Sequence, residues 1–303
     1  MSKLPLDQAL RGVLPPLITP LNEDQSLDEE GFVRQLHRCL ESGCTGVFVN
    51  GSSSEGPWLT AAQRRRAVEL AVAEGTVVLA GTMQPGTSTT LETALDAERA
   101  GADAVVVAAP YYFGVSESAI LRHVETVAAG VGLPVILYNI PQCTHNPLTA
   151  TVVARLAAGR QVVGIKDSSG DAELFKSHLA LREGHGFRVM QGSERAMGDS
   201  LRSGADGLVP GLANVAPEVF VGLVRAIREG DQEAAARAEQ TIRELLPIYS
   251  IAPSFAAMKA AASVFRVCGR TTAAPLDPAT DEQTQRIAGV LRAAGLETAP
   301  VHP

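Results

Sequence analysis

The chain has 303 residues, a hydrophobic fraction of 46% and a formal net charge of −7. That is ample material for a large core, and the scattered basic residues argue against nucleic acid and against an anionic membrane surface as partners. Four cysteines with no CxxC pair and no Cys/His ligand spacing read as reduced thiols of a cytosolic (cytoplasmic) protein and give no support for a bound metal.

The N-terminal MSKLPLDQAL lacks the apolar core of a signal peptide, and no apolar run is long enough to span a bilayer. Short apolar runs then recur. They are VLPPLITP (13–20), GVFVNG (46–51), TVVLAGT (76–82), ADAVVVAAP (102–110), LPVILYNI (133–140), VVGIKDS (162–168), FRVMQG (187–192) and ADGLVPG (205–211). Most lack polar alternation, which marks strands covered on both faces, as in a parallel sheet. Helix signals fill the intervals. Ser26 or Asp28 caps a helix running to about Ser42, and Thr60 caps one running to about Ala73. Ser88 opens STTLETALDAERAG with Gly101 as its stop, and Ser116 opens SESAILRHVETVAAG with Gly130 as its stop.

Eight strand–helix units in series predict a (β/α)8 TIM barrel. A doubly wound open sheet is the alternative. The missing GxGxxG after the first strand weakens its dinucleotide-binding version. After the eighth unit the chain stays helical, with helices expected over 217–229, 232–247, 254–267 and 281–294. The expected division is a barrel carrying the active site over 1–229 and a C-terminal helical extension over 230–303.

In such barrels the chemistry sits at the C-terminal ends of the strands. There the sequence puts GSSSEG (51–56), PYY (110–112), YNIP (138–141), KDSSGD (166–171), QGSE (191–194) and VPGLAN (209–214). These are hydroxyls, one lysine, phenols and backbone turns, without a compelling metal-ligand set or a phosphate-cradling glycine loop. The inventory suits covalent amine catalysis. A buried lysine can be kept neutral, attack a ketone and form a Schiff base, and the protonated imine is an electron sink for breaking a neighbouring bond. Lys166 is then the nucleophile, Tyr138 moves the proton, and Ser52 and Ser53 with their loop amides hold a carboxylate. A second reading stays open. In it Lys166 snorkels from a strand end to pair with Asp167 or Glu55, Tyr138 is a core tyrosine, and GSSSEG is a polar turn.

The motifs resemble the dihydrodipicolinate synthase / N-acetylneuraminate lyase (DapA-like) family of pyruvate-dependent Schiff-base enzymes. LITP (17–20), GSSSE (51–55), APYY (109–112), LYNIP (137–141), GIKDSSGD (164–171) and GLVPGLANVAPE (207–218) match its motifs in order over nearly the whole chain. The resemblance implies that Lys166 forms the imine with pyruvate and that Tyr138 donates and accepts the proton. It implies that Ser52 links tyrosines in a proton relay and that Ser53 binds the pyruvate carboxylate. Tyr112 matches a tyrosine that, in the synthases, reaches into the neighbouring subunit's site. Val209 matches a position whose carbonyl lies near bound pyruvate. A homodimer or homotetramer is implied, and no cofactor or metal.

Departures from the family pattern narrow the substrate. The synthases carry an arginine after the YN-P motif that grips the carboxylate of aspartate semialdehyde. Here Cys143 stands at its position, and a thiol cannot supply a bidentate charged clamp. His145 is read as a solvated loop residue. Ser54 stands where the family loop has glycine, with strain expected if the position needs a positive φ. Trp58 lines the substrate mouth or packs. KDSSGD resembles the version in 4-hydroxy-2-oxoglutarate and keto-deoxy-sugar-acid aldolases. Period-two alternation puts Ser168 on the side of Lys166, within reach of a second substrate. The expectation is a Schiff-base aldolase (a lyase) that cleaves a small 2-oxo acid to pyruvate and an aldehyde. The alternatives are a dihydrodipicolinate synthase and a non-catalytic barrel that binds oxo acids.

Overall fold

In the computed structural model, residues 3–182 and 186–296 are described. Seven parallel strands form one sheet in sequence order: β1 Val47–Val49, β2 Val78–Gly81, β3 Ala104–Ala108, β4 Val135–Asn139, β5 Val162–Asp167, β6 Arg188–Gln191 and β7 Gly207–Leu208. Seven of the eight expected runs are therefore ladder strands. The first, VLPPLITP, is not, because Pro15 and Pro16 have no N–H to give to a ladder. Its neighbours still bond both edges of the sheet. The Leu14 N–H donates to the Leu208 carbonyl and the Leu17 N–H to the Phe48 carbonyl, each at 2.9 Å. In return the Leu208 N–H donates to Gly12 and the Phe48 N–H to Pro15, again at 2.9 Å. An irregular segment with isolated bridges to Leu208 and Phe48 thus takes the place of the eighth strand.

The helices mostly start where capping residues put them. Asp28, not Ser26, accepts from the Gly31 N–H at 2.8 Å and caps Glu29–Glu41. Thr60 and Gln63 form a capping box for Ala61–Ala73, and Ser116 caps Glu117–Gly130. The helix expected from Ser88 begins one residue earlier, at Thr87 after Gly86, without a side-chain cap. Beyond β7 come Pro217–Glu229, Gln232–Leu245, Ser254–Val264 and Asp281–Ala293. No single helix among the described residues is long and apolar enough to cross a membrane.

Alternation along the strands sorts side chains onto two faces. Val47, Val49, Val105, Val107, Leu137, Ile165 and Val189 point outward to helix residues such as Phe32, Val124 and Phe220. Phe48, Leu79, Val106, Ile136, Tyr138 and Met190 form a separate inner cluster. With both faces apolar, a polar alternation has no place, as the runs suggested. Each fully buried aliphatic side chain of this kind contributes about 1.5–3 kcal/mol. Ile242, Leu245, Ala257, Met258, Ile287 and Leu291 of the late helices belong to the outer cluster, so the C-terminal helices share the core of the sheet.

One irregularity decides the site. Val135 pairs with Val162, but Ile136 pairs with Gly164, which leaves Val163 as an extra residue on β5. Val162 faces outward and Val163 packs inward, and the strand regains outward Ile165 and inward Lys166. Strict period-two counting from Val162 would send Lys166 into the helical layer; the inserted residue turns it inside. Gly164 allows the close strand approach there, since a Cβ would lie 2.6 Å from the Arg188 carbonyl oxygen.

Candidate active site

Lys166 and Tyr138 end adjacent strands and pair directly across β4 and β5. Lys166 is only 5% exposed, with its Nζ 4.2 Å from the centre of the Tyr138 ring and 5.0 Å from that of Phe48. The two rings meet edge-on at 6.0 Å and form an aromatic wall beneath the amine.

Both acids that a snorkelling Lys166 would use are committed elsewhere. Asp167 points to the outer side, where its Oδ2 lies 3.0 Å from buried His178 Nδ1 and its Oδ1 accepts from the Ser169 N–H at 2.7 Å. Burial pushes the Asp167 carboxyl up, but the hydrogen bonds of His178 and Ser169 outweigh it and hold the group below the usual carboxylate range. Glu55 lies 2.6 Å from Lys259. Among the described residues Lys166 forms no ion pair.

The loop 51–54 lies between two left-handed residues, Asn50 at φ 58° and Glu55 at φ 59°. It brings Ser52 Oγ to 3.4 Å from the Tyr138 hydroxyl. Ser53 beside it is half-buried. Ser54 carries no strain, because its φ is not positive. Its buried hydroxyl donates to the Leu17 carbonyl at 2.6 Å and accepts from the Gly51 N–H at 3.1 Å. The condition for strain at Ser54, a positive φ, is not met, because the left-handed turn falls one residue later, on Glu55.

Ser168 shares the side of Lys166. A Cβ added to Gly192 would lie 2.0 Å from Ser168 Oγ and 2.9 Å from Lys166 Cε, so this glycine keeps open the space both side chains border. Val209 is buried in the inner cluster with Tyr138. Tyr112 stands apart from this group within one chain. It is 81% exposed, has φ 84°, and meets only Phe113 edge-on at 4.8 Å among aromatic rings of the described residues. Cys143 is exposed, and burial of part of its surface raises its thiol while the Lys166 charge opposes the rise. His145 is an exposed left-handed residue closing the short helix Pro141–Thr144. Trp58 is 47% exposed, so it does not pack in the core.

Three groups escaped the sequence reading. Glu194, in the quoted QGSE, accepts from the Tyr249 hydroxyl at 2.9 Å and from the Leu212 N–H at 3.2 Å. Burial, followed by the Glu194 charge, holds the Tyr249 phenol well above its ordinary value. Lys259 is a fully buried lysine in the alanine-rich segment SFAAMKAAASV, and that anomaly is its one sequence signal. Among the described residues no group of three or more His, Cys, Asp or Glu side chains is arranged to hold a metal ion. The site thus offers a buried amine without a counter-charge, a phenol beside it and a hydroxyl within reach of that phenol.

Comparison with known proteins follows the same lines. The sequence profile of the dihydrodipicolinate synthetase family matches residues 9–294. An uncharacterised DapA-like lyase of Halobacterium salinarum is 37% identical over 255 residues, covering 83% of each chain. A 4-hydroxy-tetrahydrodipicolinate synthase of Methanosarcina mazei is 30% identical, with 94% of this chain and 98% of that one aligned. YagE of Escherichia coli, provisionally assigned as a 2-dehydro-3-deoxy-D-gluconate aldolase, is 34% identical over 90% of this chain and 94% of its own. The crystal structure of YagE in complex with pyruvate superposes with a TM-score of 0.89, at 31% identity, covering 94% of this chain and 98% of that one.

Proposed function

The chain belongs to the dihydrodipicolinate synthetase family, and on that footing we propose that it is a pyruvate-dependent class I aldolase working through an imine on Lys166. The observation that carries this reading is the state of Lys166. It is buried over Tyr138 and Phe48, while Asp167 and Glu55 are bound by His178 and Lys259. An amine placed in a pocket and not engaged by a carboxylate is free to attack a carbonyl carbon.

The amine adds to the C2 carbonyl of a 4-hydroxy-2-oxo acid, the Tyr138 phenol gives its proton to the departing hydroxyl, and water leaves, giving the protonated imine. Tyr138, left as the phenolate, takes the proton of the C4 hydroxyl and later gives it to C3. The C3–C4 bond then breaks, its electron pair moves into the imine as an enamine, and the aldehyde departs. Protonation at C3 and hydrolysis release pyruvate and return the amine. Ser52 supports the phenol through its 3.4 Å contact. Ser53, the loop amides and the Val209 carbonyl receive the pyruvyl end, and Ser168 faces the departing part. No metal or organic cofactor takes part in this scheme.

Substrates of the 4-hydroxy-2-oxoglutarate or keto-deoxy-sugar-acid type suit Cys143 at the position of the synthase arginine, and similarity to YagE supports the sugar-acid class. Synthase activity is the second reading, supported by the Methanosarcina mazei relative and opposed by that cysteine. In our reading residues 1–229 carry the site and the region from 230 is a helical extension in a cytoplasmic enzyme; of the expected 230–303, residues 297–303 lie outside the described residues. The exposed Tyr112 is directed to the site of a second copy in a homodimer or homotetramer.

Borohydride trapping with pyruvate tests the proposal. A pyruvyl-sized mass addition mapped to Lys166 is expected. Absence of the adduct in folded protein overturns the imine and returns the chain to an oxo-acid-binding role.

A further inference from the structure

Glu55 and Lys259 form an ion pair that the proposed chemistry does not use. Both side chains are fully buried, with Lys259 Nζ 2.6 Å from Glu55 Oε1. Lys259 is the single charged residue of the helix Ser254–Val264, and its Nζ also donates to the Thr271 carbonyl at 2.7 Å. The second carboxylate oxygen, Glu55 Oε2, accepts from the Ala273 N–H. A helix and a following segment of the C-terminal region therefore converge on one acid. Gln25 holds that segment in turn, donating to the Thr272 carbonyl at 3.2 Å and accepting from the Ala274 N–H at 2.8 Å.

The acid they grip ends the loop that carries Ser52 and Ser53. Its left-handed backbone turns the loop, and Ser54 ties the same loop to Leu17 on its other side. A fully buried ion pair is a poor choice if only stability is needed, because apolar residues of the same volume do as well or better. What the pair supplies is geometry. A carboxylate whose two oxygens meet two separate fixed donors has one place to sit.

We infer that the Glu55–Lys259 pair is a positioning device for the loop 51–55, anchoring it to the C-terminal helices so that Ser52 and Ser53 stay in register with Lys166 and Tyr138. The effect on pyruvate capture rests on the imine reading above; the effect on loop order does not.

The test uses the full chain with both charges removed, E55Q/K259M. No unpaired charge is left buried, and the side-chain carbonyl at position 55 can still accept from Ala273. Thermal unfolding first establishes that the variant is folded. Hydrogen exchange is then followed at Gly51, Glu55 and Gly56, whose N–H groups bond Ser54 Oγ, the Ser52 carbonyl and the Gly51 carbonyl. Exchange there is expected to be roughly tenfold faster or more, with the sheet amides unchanged. The pyruvate concentration for half-maximal borohydride trapping is expected to rise by about tenfold or more, with maximal labelling of Lys166 kept. Unchanged loop exchange overturns the inference, and so does faster exchange with unchanged pyruvate dependence. If the wild type traps no pyruvate, the imine reading falls and the exchange rates alone decide whether the pair orders the loop. If the double variant does not fold, E55Q/K259Q, which also leaves no unpaired charge buried, is read by the same two measurements.

Discussion

The amine of Lys166 lies over the phenol ring of its direct cross-strand partner Tyr138, 4.2 Å from the ring centre. The contact exists because β5 carries one extra residue, Val163, which turns the lysine to the inner face. A lysine reaching for solvent would not need that insertion. Among the described residues neither nearby carboxylate is bonded to the amine, so the fold draws no ion pair from it.

Removing the amine is therefore expected to cost activity without costing stability. Lys166→Met should lower kcat/KM by roughly a thousandfold or more, about 4 kcal/mol of transition-state stabilisation. Its Tm should equal or exceed that of the wild type, because an apolar side chain of similar length fills the same space. Steady-state kinetics and thermal unfolding on one preparation check both halves. A clear fall in Tm would mean that the amine makes a stabilising bond in the fold.

Tyr138→Phe keeps the edge-on packing against Phe48 and removes only the hydroxyl. Turnover should drop by about 10²–10⁴, the usual range for losing a positioned acid–base group. Ser52→Ala removes a 3.4 Å contact to that hydroxyl and should cost less, on the order of tenfold. Because Ser52 acts through the phenol, the double variant should be no slower than Tyr138→Phe alone. Additive losses measured in this cycle would show that Ser52 acts by another route.

Gly192→Ala probes the space in front of the lysine. The new Cβ would meet Ser168 Oγ at 2.0 Å and Lys166 Cε at 2.9 Å. One of these side chains must move, at a cost of about 1–3 kcal/mol in stability. The trapping rate with pyruvate should fall with it. A variant as stable and as fast as the wild type would show that Ser168 and Lys166 yield without consequence.

Most of the seven strands were legible as short apolar runs rich in β-branched residues, such as AVVVA (104–108) and VVGIKD (162–167). The first run, VLPPLITP, reads as a strand from its apolar composition, but Pro15 and Pro16 lack the N–H groups that a regular ladder needs. Lys166, Tyr138 and Ser52 were legible because each belongs to a motif at a strand end, and the structure brings these three together. The facing of Lys166 was not, since an inserted residue leaves no compositional mark. Glu55 and Lys259 were missed as a pair because their contact joins segments far apart in the chain. Strain at Ser54 depends on its position needing a positive φ, and the left-handed residue of this turn is Glu55 instead.

His123 should give the fold a pH dependence in a defined window. It is buried on the helix Glu117–Gly130, with Nδ1 3.0 Å from Thr87 Oγ1, and burial pushes its pKa down to about 4. Between about pH 6.5 and 4 the unfolded chain binds a proton at this ring and the folded chain does not, so this residue makes stability fall as the pH is lowered. Replacing it by His123→Gln should flatten the plot of Tm against pH in that interval. Parallel curves for the two proteins would mean that the ring is protonated in the folded state.

Cys143→Arg asks whether the missing charge sets the substrate. The thiol is exposed, so an arginine fits without displacing core atoms. A guanidinium there can clamp a carboxylate on the acceptor aldehyde with two parallel hydrogen bonds. Such a contact is worth about 2–5 kcal/mol where it is desolvated. The partly open position should realise the lower end, so roughly a tenfold rise or more is expected. The quantity that should rise is the kcat/KM ratio for condensing pyruvate with aspartate semialdehyde relative to an uncharged aldehyde. The ratio removes general effects on the imine, since both reactions share Lys166. An unchanged ratio would place acceptor recognition on other residues, with Ser168 and the Glu194–Tyr249 pair next in line because they are fixed to neighbouring strand ends.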